Sequence, residues 1–309
     1  MSGGKAARLE LRKPPPVAVI IASELGEEYL RPCLESLLPQ ACRQGAQVIV
    51  VQAGDPDGHG WLREAFPQVQ ILVAPGKASI PEMRFAGLGE VLAEVVAWTE
   101  GAALFAPGWL EQVLKSHQAG LEAVGGAIDP APDFDRVSWA AHVCEYGPFM
   151  TPLREGEQPG PCGFNASYTI ALLERCTESV CGRHWENILN EEVLKRGARL
   201  GTNPRMRVIN MRRYRWADFL RQRGVYGRGY GRVRSRRISL PAHLSLLLLT
   251  AGLPILMLWR YGRCMLAKRL SLKRSLVAFP LLVLFSLGWS LGEWWGYLLG
   301  LLDRAMGRR

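Results

Sequence analysis

The sequence predicts an α/β domain, a doubly wound sheet with its ligand site at the carboxyl ends of the strands, followed by C-terminal hydrophobic helices. Three observations carry this expectation. Strand-like apolar runs alternate with helical periodicity over the first 200 residues, the charge balance reverses near residue 205, and two long apolar runs fall after residue 238. With 309 residues, 48% hydrophobic and 21% charged, the chain has room for about two domains and is too apolar for a disordered polymer.

The elements follow in order. Val17–Ala22 (VAVIIA) is a continuous apolar run, suited to a parallel strand buried on both faces. Glu27–Leu38 sets Tyr29, Leu30, Cys33, Leu34, Leu37 and Leu38 at helical spacing. Gln47–Val51 is a second strand and runs into the turn cluster Ala53-Gly54-Asp55-Pro56-Asp57-Gly58. Trp61–Phe66 reads as a short helix and Val69–Val73 as a third strand. Ser79-Ile80-Pro81-Glu82 is a capping box, predicting a helix to about Leu92. Val95–Thr99 is a fourth strand, Pro107-Gly108-Trp109 opens another helix, and Ala123–Ile128 is a fifth strand. No internal repeat or low-complexity tract is evident in the sequence.

Residues 1–204 hold 17 Lys and Arg against 25 Asp and Glu, net −8, whereas residues 205–309 hold 21 against 3, net +18. The overall +10 therefore joins an acidic globule to a basic tail. Basic tails bind nucleic acid or anionic membranes. Apolar runs between basic flanks favour the membrane. The first run is Leu240 to Trp259, and the second is Leu276 to Leu302 with Glu293 its only formal charge. Each reaches the roughly 20 residues that a bilayer of about 30 Å requires. Trp259, Trp289, Trp294, Trp295 and Tyr297 suit its interfaces.

Topology is in tension. Basic residues precede the first run (Arg228 to Arg237), separate the two (Arg260 to Arg274) and follow the second (Arg304, Arg308, Arg309). The positive-inside rule would place all three segments in the cytoplasm, which two simple spans do not satisfy. Two spans are one reading. Segments that enter and leave on one side, helped by Pro241, Pro254 and Pro280, are the other. Seven cysteines at 33, 42, 144, 162, 176, 181 and 264 form no CxxC pair, which argues against a disulfide framework and a cysteine-held zinc and for a reducing compartment. The first sixteen residues contain no apolar stretch of the signal-peptide kind, and Pro14, Pro15 and Pro16 read as a stiff lead-in. There is no GxGxxG after the first strand and no GxxxxGK[ST], so hydride transfer and P-loop chemistry are not indicated.

Several segments in order resemble one family. VAVIIASELGEEYLRPCLESL is similar to the opening strand and helix of family 2 glycosyltransferases, and VIVVQAGDPDG stands where they carry an aspartate-rich turn. IPEMRFAGL, VAWTEGAALFAPGWLE, VGGAIDP, PCGFNASY and HWENILNEEVLKRGARLGTNPRMRVIN resemble their later segments, and ADFLRQRGVYGRGYGR resembles the basic helix before membrane segments in bacterial members. The resemblance covers about residues 16–235. It implies a GT-A fold, the Rossmann-like architecture of nucleotide-diphospho-sugar transferases, and inverting transfer of a sugar in one displacement. The division it suggests is a lead-in at 1–15, a GT-A domain at 16–211, a basic amphipathic interface helix at 212–238 and membrane-associated helices at 239–309.

The same resemblance supplies candidate residues. The family's base precedes the glycine of a short turn by eleven residues; that glycine matches Gly197, giving Glu186 as catalytic base, with Trp185 before it and Glu191 or Glu192 as alternatives. For the donor it implies Ala22, Glu24, Gln52, Asp55, Arg84 and Glu100, with Asp55 and Asp57 equally readable as turn residues. Glu100 matches the first acid of the family's D-x-D, but Ala102 stands at the second, and Asn210 at a later histidine. A divalent cation, Mg²⁺ or Mn²⁺, is the expected cofactor, with Glu100 its one matched ligand. Arginines are the alternative source of charge: Arg84, Arg212, Arg213, Arg215, Arg221 or Arg223. Asn165 and Tyr168, with Arg221 and Arg223, are candidates for the acceptor or its phosphate; for the first two a buried polar network is the other reading. The expected partners are a nucleotide-sugar, a lipid-linked or glycan acceptor and the membrane, not nucleic acid. The expected location is a bacterial-type inner membrane with the catalytic domain cytoplasmic. The competing class is a catalytically degenerate relative acting as a membrane scaffold.

Overall fold

A computed structural model describes residues 14–54, 60–76, 78–156, 161–176, 186–236 and 238–306, without the side chains of 186–188. Two compact units emerge, one from residues up to 128 together with 153–210, the other from 129–152 together with 211–309.

The first unit is built on one sheet. Its strands are β1 (Ala18–Ser23), β2 (Gln47–Ala53), β3 (Gln70–Ala74), β4 (Val95–Glu100), β5 (Ala103–Phe105), β6 (Ala123–Pro130), β7 (Asn165–Thr169) and β8 (Leu200–Asn210), in the order β3-β2-β1-β4-β7-β6-β8-β5. The helices are α1 (Glu27–Gln44), α2 (Gly60–Ala65), α3 (Ile80–Leu88), α4 (Trp109–Gln118), then α5 (Arg136–Tyr146) in the second unit, α6 (Ile170–Arg175) and α7 (Glu186–Lys195). β1 is wholly buried between β2 and β4, all parallel, as its unbroken apolar run requires. β7 runs antiparallel to β4 and β6, which makes the sheet mixed.

Local chemistry sets the boundaries. Glu27 and Glu28 sit at the positive end of α1, and Gly45, at φ 64°, ends it by donating back to the carbonyls of Ala41 and Cys42. α1 passes through Pro39 and so exceeds the expected end at Leu38. The Glu82 carboxylate accepts from the Ser79 N–H at 2.7 Å, as the capping box predicts. α3 stops at Leu88, short of Leu92. There the side-chain amide of Gln47 donates to the Glu90 carbonyl at 2.8 Å and accepts from the Leu92 N–H at 3.0 Å, holding 90–92 as a turn. A Cβ on Gly87 would press on Ile20 at 2.8 Å, so the glycine lets α3 lie close on β1. β5, which the sequence pattern did not suggest, pairs antiparallel with the end of β8.

The second unit comprises α5, then α8 (Trp216–Ser235), α9 (Leu240–Leu249), α10 (Leu253–Ala267) and α11 (Leu272–Ala305). A 3₁₀ turn at Thr250–Gly252 joins α9 to α10, giving a helical run of 28 residues beside the 34 of α11. Both are long and apolar enough to cross a membrane by length and composition. α8 and α11 lie parallel: Gly227 backs onto Trp289 and Glu293, and Gly231 onto Glu293 and Tyr297.

Candidate active site

The carboxyl ends of β1, β2 and β4 lie level. Ser23 pairs with Gln52, Ala22 pairs with Val51 and with Glu100, and the Gly101 N–H donates to the Ala22 carbonyl at 3.1 Å. A side chain at 101 would collide with the Ser23 hydroxyl, so glycine is what allows β4 to turn there. Open α/β sheets bind ligands at this edge.

Two charged side chains meet at it. Arg84, carried by α3, is 3% exposed and donates from a terminal nitrogen to Glu100 Oε1 at 3.1 Å. Its guanidinium lies 5.9 Å from the Trp98 ring centre, within cation–π range. Trp98 in turn packs on Tyr168 at 4.8 Å between centroids. The Tyr168 hydroxyl donates to Asn190 Oδ1 at 3.4 Å, and Asn190 donates to the Pro161 carbonyl at 2.8 Å. Burial pushes the Tyr168 phenol up, against the pull of the Arg84 charge. A line of contacts thus runs from Glu100 through Arg84, Trp98 and Tyr168 to α7.

Other candidates fall out differently. Ala22 contributes backbone only and is fully buried. Glu24 is exposed in the loop after β1. Gln52 is buried, and its side-chain carbonyl has no hydrogen-bond partner among the described residues, an acceptor left over at the edge. Asp55, Asp57 and Trp185 lie outside the described residues. Asn165 is inside the core, accepting from Trp109 Nε1 at 2.9 Å and donating to the carbonyls of Ala127 and Met206. Arg221 is 81% exposed on α8. Arg223 is buried, 4.3 Å from the Trp289 ring centre and donating to the Tyr261 hydroxyl at 3.3 Å. Glu186 is the first residue of α7, its side chain outside those described. α7 buries Leu189, Asn190 and Val193; Glu191 is exposed, and Glu192 pairs with Arg196 at 2.8 Å. Gly197, at φ 69°, ends the helix where the resemblance placed the turn.

Ala102 is buried and bears no ligand atom, Asn210 is buried, and Glu100 is already committed to a guanidinium. No group of three His, Cys, Asp or Glu side chains converges among the described residues. These residues do not make a protein-held cation site.

The family model for glycosyl transferase family 2 matches residues 17–177, just over half of the chain. The chain belongs to glycosyl transferase family 2. Among solved structures it is similar to the mannosyltransferase PcManGT from Pyrobaculum calidifontis, in complex with GDP-Man and Mn²⁺, at 16% identity and TM-score 0.53, covering 96% of this chain and 88% of that one. A mycobacterial protein is similar at 15% identity and TM-score 0.47, over 69% of this chain and 73% of that one. No curated protein matches the chain. The fold of this family 2 glycosyltransferase is GT-A with apolar C-terminal helices, as the sequence led one to expect. The Arg84–Glu100 pair was not legible as a pair. The signal that joins the two residues is an arginine on the helix packed against β1, beside the acid ending β4.

Proposed function

We propose that this glycosyltransferase moves a sugar from a nucleotide-sugar donor to a lipid-linked or glycan acceptor with inversion, at the cytoplasmic face of a membrane. The observation that carries the reading is the buried Arg84–Glu100 pair at the strand edge where GT-A proteins take their donor. The site is acidic where a sugar and ribose need hydrogen-bond acceptors and basic where a diphosphate needs charge. Arg84 is held by Glu100 and by the Trp98 ring, so a departing diphosphate meets a guanidinium whose position is already fixed. Gln52, whose carbonyl has no partner among the described residues, suits a nucleobase or ribose donor group. Glu186 takes the proton from the acceptor hydroxyl as that oxygen attacks the anomeric carbon and the bond to the diphosphate breaks on the opposite face. The alternatives are less suited: Glu191 is exposed, and Glu192 is paired with Arg196.

PcManGT was solved with Mn²⁺, and a divalent cation arriving with the diphosphate is compatible with Glu100; the charge this chain itself supplies is Arg84. The buried Ala102 and Asn210 favour one rival, a degenerate family member acting as a scaffold. Thermal shift against UDP-, GDP- and dTDP-sugars, with and without Mn²⁺, separates the two, because a ligand that binds only the native state raises its melting temperature. A shift with one donor supports the enzyme, and no shift with any supports the scaffold. Glu186→Gln is then expected to keep donor binding and lose about 10²–10⁴ in turnover.

A further inference from the structure

We infer that the second unit lies along one leaflet of an anionic membrane and that neither apolar run crosses it. The reason is the partner of α11. α8 carries Arg221, Arg223, Arg228, Arg232 and Arg234, and it runs parallel to α11 with backbone against backbone. The contact begins at Phe219 on Phe285, ring centroids 4.7 Å apart, and ends where Arg232 grips Asp303 through two bonds of 2.7 and 2.9 Å. A Cβ on Gly227, Gly231, Gly292 or Gly296 would be driven into a carbonyl or amide of the facing helix, so the two cannot separate while keeping this packing.

The consequence is geometric. From Phe285 to Asp303, α11 has the arginine helix beside it, and at about 1.5 Å per residue this is roughly the thickness of a bilayer's hydrocarbon. If α11 crossed, α8 would cross with it and carry Arg221, Arg228 and Arg232, all on its exposed face, through the lipid. The part of α11 free of α8, residues 272–284, is too short to cross alone. α11 even pairs a charge internally: Glu293 accepts from Trp289 at 2.8 Å and from Tyr297 at 2.9 Å, with Arg234 4.0 Å away.

The other run is pinned at both ends. Arg304 donates to the Ile238 carbonyl just before α9, and Lys268, just after α10, donates to the Pro152 carbonyl at 2.8 Å. Arg274 likewise donates to the Pro132 carbonyl at 2.8 Å. The first run therefore begins beside the end of α11 and ends in the linker that opens α11, so it lies where α11 lies, and the conflict with the positive-inside rule disappears.

What remains is an in-plane module with two faces. Leu248, Ile255, Leu266, Leu276, Leu291 and Leu302 are exposed on α9 to α11 and suit acyl chains. The arginine stripe of α8 suits lipid phosphates.

The test uses the full chain reconstituted into sealed vesicles. Ser271→Cys and Met306→Cys are labelled with a membrane-impermeant maleimide and located by peptide mass, with the native exposed Cys42 marking the side of the sheet unit. All three positions are expected to react together; protection of 271 or 306 until detergent is added overturns the proposal. Nitroxides at Leu276→Cys, Leu291→Cys and Leu302→Cys, after Cys42→Ser, read depth. Equal depth is expected, and a progressive gradient, from a crossing or a re-entrant hairpin, overturns it. Binding to phosphatidylcholine vesicles containing a third phosphatidylglycerol is expected to exceed binding to phosphatidylcholine alone by at least ~10-fold; equal binding removes the anionic leaflet as partner.

Discussion

Arg84 in the sheet unit and Arg223 in the helical unit are buried almost equally, at 3% and 4% exposure, and each lies over a tryptophan. Their surroundings separate them. Arg84 ends on a carboxylate at the open edge of a sheet, whereas Arg223 ends on the Tyr261 hydroxyl between helices. An arginine keeps its charge in either place, so burial forces it to find an acid or a ring. The acid is what marks Arg84 as a group able to face an anionic ligand; the ring and phenol make Arg223 a brace.

The contrast predicts unequal outcomes. Arg84→Met leaves Glu100 partly buried without its cation, and a loss of about 3–5 kcal/mol is expected in denaturant unfolding of the sheet unit. Arg84→Met/Glu100→Gln should regain much of it, since no uncompensated charge remains. Neither variant should bind a nucleotide-sugar as wild type does; unaltered donor binding would place the diphosphate elsewhere.

Next comes the interface that Arg223 braces. Gly296→Leu pushes a side chain against the Arg228 carbonyl and the Arg232 amide, backbone that cannot rotate away. Overpacking of this kind costs about 3 kcal/mol. Faster proteolysis between α8 and α11, with the sheet unit's melting unchanged, is the expected result. Arg223→Met keeps much of the stem and loses the cation over Trp289, for about 2 kcal/mol, with donor binding intact. Weakened donor binding in Arg223→Met would erase the distinction between the two arginines.

Periodicity and resemblance made the sheet legible. The runs at β1, β2 and β4 are apolar because both faces are covered, and the capping box at Ser79 and Glu82 marked the start of α3. Less visible were features that depend on a distant partner. The end of α3 is set by Gln47, forty-odd residues upstream, and β5 exists only because β8 returns beside it. The resemblance groups Arg221 and Arg223 as phosphate ligands, but two positions along a helix is about 200° of rotation, so one faces water and the other the core. The four-residue spacing of Gly288, Gly292, Gly296 and Gly300 was present in the sequence and announces close helix contact, but it does not say which helix answers.

The smallest effect extends the same logic to a cation that can give up its charge. His117 is largely buried in the sheet unit, its Nδ1 2.8 Å from the Leu121 carbonyl and its Nε2 2.9 Å from the Ser167 hydroxyl. A carbonyl only accepts, so Nδ1 carries the proton and Nε2 accepts from Ser167. Among the described residues no acid pairs with it as Glu100 does with Arg84, and burial holds the pKa below its ordinary value of 6.5, outweighing the bond to Leu121. The unfolded chain then takes up a proton at a higher pH than the folded one. The stability that His117 confers is complete above about pH 6.5 and falls as pH drops from there toward the folded pKa. Melting of the sheet unit should decline between pH 7.5 and 5.5 in wild type and decline less in His117→Gln, which retains a donor and an acceptor. Identical slopes would mean that the imidazole takes up its proton at the same pH in the folded and the unfolded chain, and that burial at this position does not disfavour its charge.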